Sequence, residues 1–218
     1  LRCAPGNSFC IRTILPPRVS DECSGIQETR TAQRGQADLT EREMTYMPVY
    51  RLNPDEVSFP NPMYARRDGL LAVGGDLSVE RLLLAYTHGI FPWYDPGEEI
   101  LWWCPRERFV IFPGEIHISR SMRKYWKKHK LRLELNRDFA DTMHRCRIMR
   151  EFREGTWISD EMEEGYLRLH QAGYAVSVEV FEDGGLAGGL YGVSVGKCFF
   201  GESMFSEKEN GSKAALIA

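Results

Sequence analysis

The spacing of apolar residues separates a leader without periodicity from an ordered part that begins near Met47. Residues 1–46 mix Pro, Gly, Ser, Gln and Arg with no helical or strand pattern. They lack the apolar stretch of a secretory signal, and they contain several acids, which mitochondrial transit peptides avoid. We therefore expect a disordered leader, or an upstream extension of a protein whose translation starts at Met44 or Met47.

The first ordered segment, residues 47–106, combines one helix with an aromatic stretch. Candidate N-caps, apolar residues at helical spacing and a closing glycine predict the helix, in the order Asp76, Ser78, Leu82, Ala85, Tyr86 and Gly89. Two aromatic runs follow, Phe91–Tyr94 and Leu101–Trp103. The segment Cys104-Pro-Arg106 is a plausible domain boundary, because a different pattern begins after it.

Beyond residue 106, helical and strand patterns alternate. Helices are predicted from Phe139 and after a cap at Ser159 or Asp160, where Glu163 can complete a capping box with Asp160. A further helix starts near Ser212. Strands are predicted for Leu131 to Leu135, Ala175 to Phe181, Leu186 to Val193 and Lys197 to Phe205. Helices followed by an antiparallel meander indicate a mixed α/β fold.

The predicted helix from Ser119 to Lys128 has two contrasting faces. At 100° per residue, Met122, Tyr125 and Trp126 fall on one side. The other side carries five cations and no acid, namely Arg120, Arg123, Lys124, Lys127 and Lys128. We call these five residues the basic stripe. Such a stripe either stays solvated or binds the phosphates of a nucleic acid.

Composition narrows the class of protein. With 43% hydrophobic and 27% charged residues among 218, the chain resembles an ordinary globular protein, and no apolar run approaches the roughly 20 residues that cross a bilayer. A net charge of −3 argues against bulk attraction to nucleic acid but allows a local basic surface. The six cysteines lack the spacing of a zinc site and are expected to be free thiols in a reducing cytoplasm.

Glu202 stands out because a carboxylate interrupts an otherwise apolar strand. It either pairs with a basic side chain or faces a cleft in which it binds a cationic group, and the sequence leaves both open. Glycines at 184–189 match neither a dinucleotide nor a P-loop motif, and the five histidines form no zinc pair and no nucleophile–base set. An exposed Trp93 or Trp157 could stack on an unpaired base, although a tryptophan is more often a core residue.

Seven short sequence blocks follow one another between Gly69 and Ser206. The blocks are Gly69-Leu-Leu-Ala-Val-Gly-Gly-Asp-Leu77, Gly89-Ile-Phe-Pro-Trp93, Leu101-Trp-Trp103, His117-Ile-Ser-Arg-Ser121, Gly155-Thr-Trp-Ile158, Gly189-Leu-Tyr-Gly192 and Gly201-Glu-Ser-Met-Phe-Ser206. In order and in register, these blocks resemble the leucyl/phenylalanyl-tRNA–protein transferases. The resemblance covers about Met47 to Ala218 and does not extend to the leader.

The resemblance implies a small N-terminal domain, residues 47–106, joined to a GNAT-type acyltransferase domain, residues 107–218, that is incomplete at its C-terminus. It also implies transfer of Leu, Phe or Met from aminoacyl-tRNA to proteins with an N-terminal Arg or Lys, which marks those proteins for degradation by the N-degron route. Neither a metal nor another cofactor is implied, because the aminoacyl ester is already activated, and no membrane partner is implied.

The same resemblance implies which residues would bind the tRNA. Arg120, Lys127 and Lys128 of the basic stripe would hold the phosphates of the acceptor stem. Trp93 and Trp157 match positions that flank the terminal adenosine and the aminoacyl group.

The resemblance also implies which residues would bind the aminoacyl group. The resemblance implies an apolar pocket that Leu190 and Met204 help to line, and an ammonium site at Glu202. The family's proposed catalytic Asp and Gln lie in an Asp-Cys-Gln segment after the helix that begins near Ser212, beyond Ala218. We therefore expect no catalytic residue in this chain and no transfer activity from this chain alone.

Two other functions stay open. The first is a non-enzymatic tRNA-binding remnant. The second is an acetyl-CoA-dependent acyltransferase on the same fold, although Ser206–Gly211 does not supply the pyrophosphate loop that such an enzyme requires.

Overall fold

A computed structural model describes residues 9–12, 49–151 and 155–218. The described residues form ten β-strands in two sheets and five α-helices, which confirms the mixed α/β fold. None of the helices in these ranges is long and apolar enough to cross a membrane.

The smaller sheet gathers the aromatic stretch around one helix. Its strands are ordered β2-β3-β5-β4, and only the β2–β3 pair is parallel. Helix α1 (Val79–Thr87) begins at the predicted cap Ser78, whose side chain accepts from Arg81 N, and Gly89 follows it at φ +71°. The strands are β2 (Tyr50–Leu52), β3 (Leu70–Gly74), β4 (Phe91–Pro92) and β5 (Leu101–Trp103).

The larger sheet contains the predicted meander. Strands β8, β9 and β10 are joined antiparallel, with Asp183 and Gly184 at positive φ in the turn between β8 and β9. The order across the sheet is β6-β1-β10-β9-β8-β7. Its strands are β1 (Phe9–Arg12), β6 (Val110–Ile111), β7 (Leu131–Leu135), β8 (Ala175–Glu182), β9 (Gly185–Val195) and β10 (Cys198–Ser206).

Strand β1 corrects one expectation for the leader. Disorder is wrong for Phe9–Arg12, because these four residues pair antiparallel with β10 and parallel with β6. Without β1, the edge of β10 would present unpaired backbone N–H and C=O groups. An extended segment beside β10 pairs with these groups. The remaining leader residues lie outside the described ranges.

The remaining helices are α2 (Arg120–Lys128), α3 (Phe139–Glu151), α4 (Asp160–Gln171) and α5 (Gly211–Ile217). Two cap expectations are wrong. Ser159 alone caps α4, while Asp160 and Glu163 both bind Arg147 instead of forming a capping box. Helix α5 follows Asn210 in the left-handed region, and Ser212 bonds Ser206 rather than capping the helix.

Two apolar clusters cover opposite faces of the larger sheet. The main core joins α1, α3, α4 and the smaller sheet to one face, with Trp102, Tyr86, Tyr166 and Tyr191 fully buried. The second core packs α2 and α5 on the other face. The division into domains at residues 106 and 107 stays a prediction.

Gly192 shows how tightly β9 and β10 approach each other. A Cβ atom at Gly192 would lie 2.2 Å from the Phe200 carbonyl oxygen and 2.5 Å from the Phe199 ring. We expect Gly192→Ala to lower the free energy of unfolding by about 1–3 kcal/mol, because backbone must move. Urea denaturation measures the loss. The control is Gly114→Ala, where a Cβ meets nothing within 4 Å, and an unchanged midpoint for Gly192→Ala would contradict the packing described.

Candidate functional site

Glu202 lies at an irregularity in the ladder between β9 and β10. Gly201 pairs with Gly192 and Ser203 pairs with Tyr191, so the register shifts at Glu202, as in a β-bulge. The residue is 7% exposed. The bulge turns this carboxylate out of the ladder and towards the main core, where its hydrogen-bond partners lie.

Two tyrosine hydroxyls meet the Glu202 carboxylate. Tyr86 Oη donates to Oε1 at 2.7 Å, and Tyr166 Oη lies 3.5 Å from Oε2. The two hydroxyl oxygens are 2.5 Å apart. Burial raises the pKa of both tyrosines well above the ordinary value, so both remain neutral donors. The carboxylate therefore has polar partners but no ion pair within the described residues.

This environment makes the charge of Glu202 adjustable near neutral pH. Burial raises the pKa of Glu202 to about 7, although the hydrogen bond from Tyr86, the charge of Arg108 and the hydrogen bond from Tyr166 lower it. A carboxylate with this pKa ionises readily when a cation arrives beside it. Such a group suits the binding of an ammonium ion.

The two tyrosines come from helices that pack closely. Tyr86 follows Leu82 and Ala85 on the buried face of α1, and Tyr166 lies on the buried face of α4. Gly165 permits the approach, since a Cβ there would lie 2.9 Å from Leu77 Cβ. Neither tyrosine is a candidate site residue from the sequence alone.

Arg108 is a further residue of this region that the sequence alone does not reveal. Its guanidinium donates to the Gly89 carbonyl oxygen and lies 4.6 Å from the centre of the Phe91 ring. It therefore fixes the start of the segment that carries Trp93. Its charge also acts on Glu202.

Trp93 and Trp157 are both half-buried against the main core. The Trp93 ring packs edge-on against Trp103 at 5.6 Å, and Trp103 Nε1 donates to the Trp93 carbonyl oxygen at 2.7 Å. The Trp157 ring lies 6.0 Å from the guanidinium carbon of Arg150. Neither ring is fully buried, so both keep a surface on which a base could stack.

Leu190 and Met204 pair across β9 and β10, but they lie on the other face of the sheet from the Glu202 carboxylate. Leu190 is buried in the second core and Met204 packs against it, whereas both partners of Glu202 belong to the main core. The structure thus brings the two apolar residues together without placing them in one cavity with Glu202.

Helix α2 has the predicted division of faces. All five residues of the basic stripe are exposed, while Met122 is buried and Tyr125 and Trp126 are half-buried against the second core. Within the described residues, no member of the stripe forms an ion pair with a carboxylate. The five charges are therefore available to an external anion.

Comparison with known proteins gives matches over both parts of the chain. The family model described as leucyl/phenylalanyl-tRNA protein transferase matches residues 110–218, and the model described as its N-terminal domain matches residues 75–106. A protein of Syntrophus aciditrophicus named leucyl/phenylalanyl-tRNA–protein transferase is 60% identical over 162 residues, which are 74% of this chain and 68% of the relative.

Two further relatives carry the same name. The protein of Desulfatibacillum aliphaticivorans is 56% identical over 171 residues, 78% of this chain and 73% of its own length. The protein of Pectobacterium atrosepticum is 52% identical over 174 residues, 79% of this chain and 74% of its own length. Identity at this level extends over most of the residues described above.

Proposed function

Since the chain belongs to the leucyl/phenylalanyl-tRNA–protein transferase family, we propose that it binds aminoacyl-tRNA and serves the transfer of Leu, Phe or Met to proteins that begin with Arg or Lys. In this role it would mark those proteins for N-degron degradation in the cytoplasm. The free thiols of Cys104, Cys146 and Cys198 fit a reducing compartment. The observation that carries the proposal is the buried Glu202 carboxylate, which has hydroxyl partners but no paired cation among the described residues.

Glu202 is proposed to hold the α-ammonium of the donor amino acid. An ammonium ion that enters this site supplies a counter-charge and favours the ionised form of the carboxyl group. Tyr86 and Tyr166 then keep the carboxylate oriented through their hydroxyls. The match between a buried acid and a free amine favours donors whose α-amine is not acylated.

The tryptophans and the basic stripe are proposed to hold the tRNA. Trp93 and Trp157 offer partly exposed rings for the terminal adenosine, and stacking on one ring contributes roughly 1–3 kcal/mol. Arg120, Lys127 and Lys128 would contact phosphates of the acceptor stem. The exposed cations on one helix face support this role, because each phosphate contact releases a counterion.

Leu190 and Met204 are proposed to line the pocket for the donor side chain. Met204 is two residues beyond Glu202, which is about 7 Å along a strand. In the structure this pair faces the second core, across the sheet from Glu202. Because the ammonium and the side chain of one amino acid branch from the same Cα, the pocket requires that β10 turn Met204 towards Glu202 when the donor binds. Such an apolar pocket discriminates one methylene by only about 1–3 kcal/mol, so Leu, Phe and Met can share it.

The chemistry of transfer needs no cofactor in this proposal. The acceptor's neutral amine attacks the ester carbonyl, a new amide forms, the bond to the 3′ oxygen of the tRNA breaks, and the proton lost by the amine ends on that oxygen as the 3′ hydroxyl. The driving force comes from the ester, and the protein contributes orientation of the two reactants. The acceptor α-amine, with an ordinary pKa of about 7.7–8.0, is partly neutral at the pH of a cell. Donor binding is the part that the described residues would carry.

The complete product of the gene should transfer labelled Phe from Phe-tRNA to a peptide that begins with Arg. The matched control is the same peptide beginning with Ala, and release of free Phe measures hydrolysis. Transfer to the Arg peptide alone supports the proposal. Equal transfer to both peptides would contradict the proposed acceptors, and no consumption of Phe-tRNA would contradict the proposed activity.

The basic stripe should determine how strongly the affinity for tRNA depends on salt concentration. Replacing Lys127 and Lys128 with Ala should flatten the slope of log affinity against log salt for tRNA, by roughly 0.7–0.9 for each phosphate that the variant no longer binds. Filter-binding titrations at several salt concentrations measure the slope. The control is Lys197→Ala, an exposed lysine in the turn between β9 and β10. An unchanged slope after the loss of Lys127 and Lys128 would show that these two lysines do not bind the phosphate backbone.

A further inference from the structure

Arg150 is a cation that links two parts of the proposed donor site. It lies at the end of α3, and its Nε donates to Ser203 Oγ at 3.0 Å. Ser203 directly follows Glu202 in the shifted part of β10. The guanidinium carbon lies 6.0 Å from the centre of the Trp157 ring. One side chain therefore contacts the neighbour of the ammonium site and lies over one face of the Trp157 ring, which leaves the other face for the adenine.

The surroundings hold Arg150 in place but leave it accessible. Its charge acts on the buried Cys146 thiol and on the Tyr191 hydroxyl, which shows that the guanidinium lies close to the main core. Arg150 itself is half-buried, so a ligand can reach it from solvent. A guanidinium fixed through one nitrogen presents its other N–H groups in a defined plane.

We propose that Arg150 binds the 5′-phosphate of the terminal adenosine of the donor, a role that rests on the proposed function. With the adenine on Trp157 and the ammonium at Glu202, the 5′-phosphate is the anionic group of the donor nearest to the adenine. A planar guanidinium at the edge of hydrogen-bond reach of the adenosine, over the opposite face of the Trp157 ring, matches a phosphate, with which it forms paired, charge-assisted hydrogen bonds. Arg150 would thus set the register of the tRNA end relative to Glu202.

The test compares two stable donor analogues that differ only in the phosphate. Both are adenosines with phenylalanine attached at the 3′ position through an amide, one with and one without a 5′-phosphate. Titration calorimetry measures their affinities for the wild-type chain and for Arg150→Gln. A charge-assisted contact predicts a roughly tenfold to hundredfold preference of the wild type for the phosphorylated analogue.

Arg150→Gln should abolish this preference and leave the affinity for the unphosphorylated analogue unchanged. Arg150→Lys should keep part of the preference, since a lysine supplies charge without the planar fork. The matched control is Arg147→Gln on the same helix, whose arginine binds Asp160 and Glu163 and should leave the preference intact.

Three results would overturn the inference. Equal weakening of both analogues by Arg150→Gln would assign Arg150 a structural role at Ser203. A wild type without any preference for the phosphate would also reject it, while the ammonium site at Glu202 still stood. Failure of the wild type to bind either analogue would reject the inference together with the proposed function.

Discussion

Replacing Glu202 with Gln should make the protein more stable above neutral pH and, at the same time, weaken its binding of aminoacyl-tRNA. The stability part follows from the pKa of about 7, against an ordinary value of 4.5. Because the folded-state pKa is raised, this group stabilises the fold fully below about pH 4.5. That stabilisation is lost as the pH rises through 7. At pH 8 the buried carboxylate costs about 3 kcal/mol, which the neutral amide avoids.

The weaker binding of aminoacyl-tRNA follows from the loss of the negative charge at residue 202. Gln keeps an oxygen that can accept from Tyr86, but it cannot form a charge-assisted bond with an ammonium ion, so we expect roughly tenfold to hundredfold weaker binding of Phe-tRNA. Melting curves between pH 5 and pH 8 and binding titrations at pH 7.5 measure the two effects. A melting temperature that falls at pH 8 while Phe-tRNA still binds normally would make Glu202 a structural residue.

Glu179 provides a matched control on β8, which is separated from β10 by β9 in the same sheet. It is also buried, at 2% exposure, but its carboxylate accepts from the hydroxyls of Thr142 and Ser177 and from the backbone N–H groups of Arg137 and Asp138. Glu179→Gln should therefore destabilise the protein, because an amide replaces one of its acceptors with a donor. Opposite signs for the two substitutions would show that the effect at Glu202 comes from its own surroundings.

Replacing Arg81 with Met should lower the free energy of unfolding by about 3–5 kcal/mol, because Met cannot make the charge-assisted hydrogen bonds that the buried guanidinium donates. Arg81 is fully buried. Its Nε donates to Asp76 at 3.1 Å, and its Nη2 donates to the carbonyl oxygens of Asn53 and Glu56 at 3.1 and 3.0 Å. The residue thus ties the loop after β2 to the start of α1.

Urea denaturation measures the effect of Arg81→Met. The control is Arg51→Met, which removes an exposed ion pair with Glu99 and should move the midpoint little. A similar shift for both variants would mean that the buried guanidinium contributes no more than an exposed one. In that case the loop would not depend on Arg81.

Local signals in the sequence predicted most of the regular elements. Ser78, Ser119 and Ser159 precede apolar residues at helical spacing, and each of these serines caps a helix. The basic stripe follows from the period of the helix alone. By contrast, β1 pairs with β10 almost 190 residues later, and no local pattern indicates such a partner.

The candidate site was predicted only in part, for a similar reason. Glu202 is visible as an acid in an apolar strand, but its donors Tyr86 and Tyr166 lie 116 and 36 residues away along the chain. The one signal in the sequence for these two donors is a tyrosine on the apolar face of a helix, because a buried phenol hydroxyl needs a hydrogen-bond partner. The bulge that places Leu190 and Glu202 on different faces depends on the packing of β9 against β10.

Binding of the donor's free α-ammonium by Glu202 is the central claim. It is tested most directly by comparing the affinities of this chain for Phe-tRNA and for N-acetyl-Phe-tRNA, which differ only in the charged amine. We expect the wild type to bind Phe-tRNA roughly tenfold to hundredfold more tightly at pH 7.5, and we expect Glu202→Gln to remove the difference. Equal affinities of the wild type for the two tRNAs would contradict the claim.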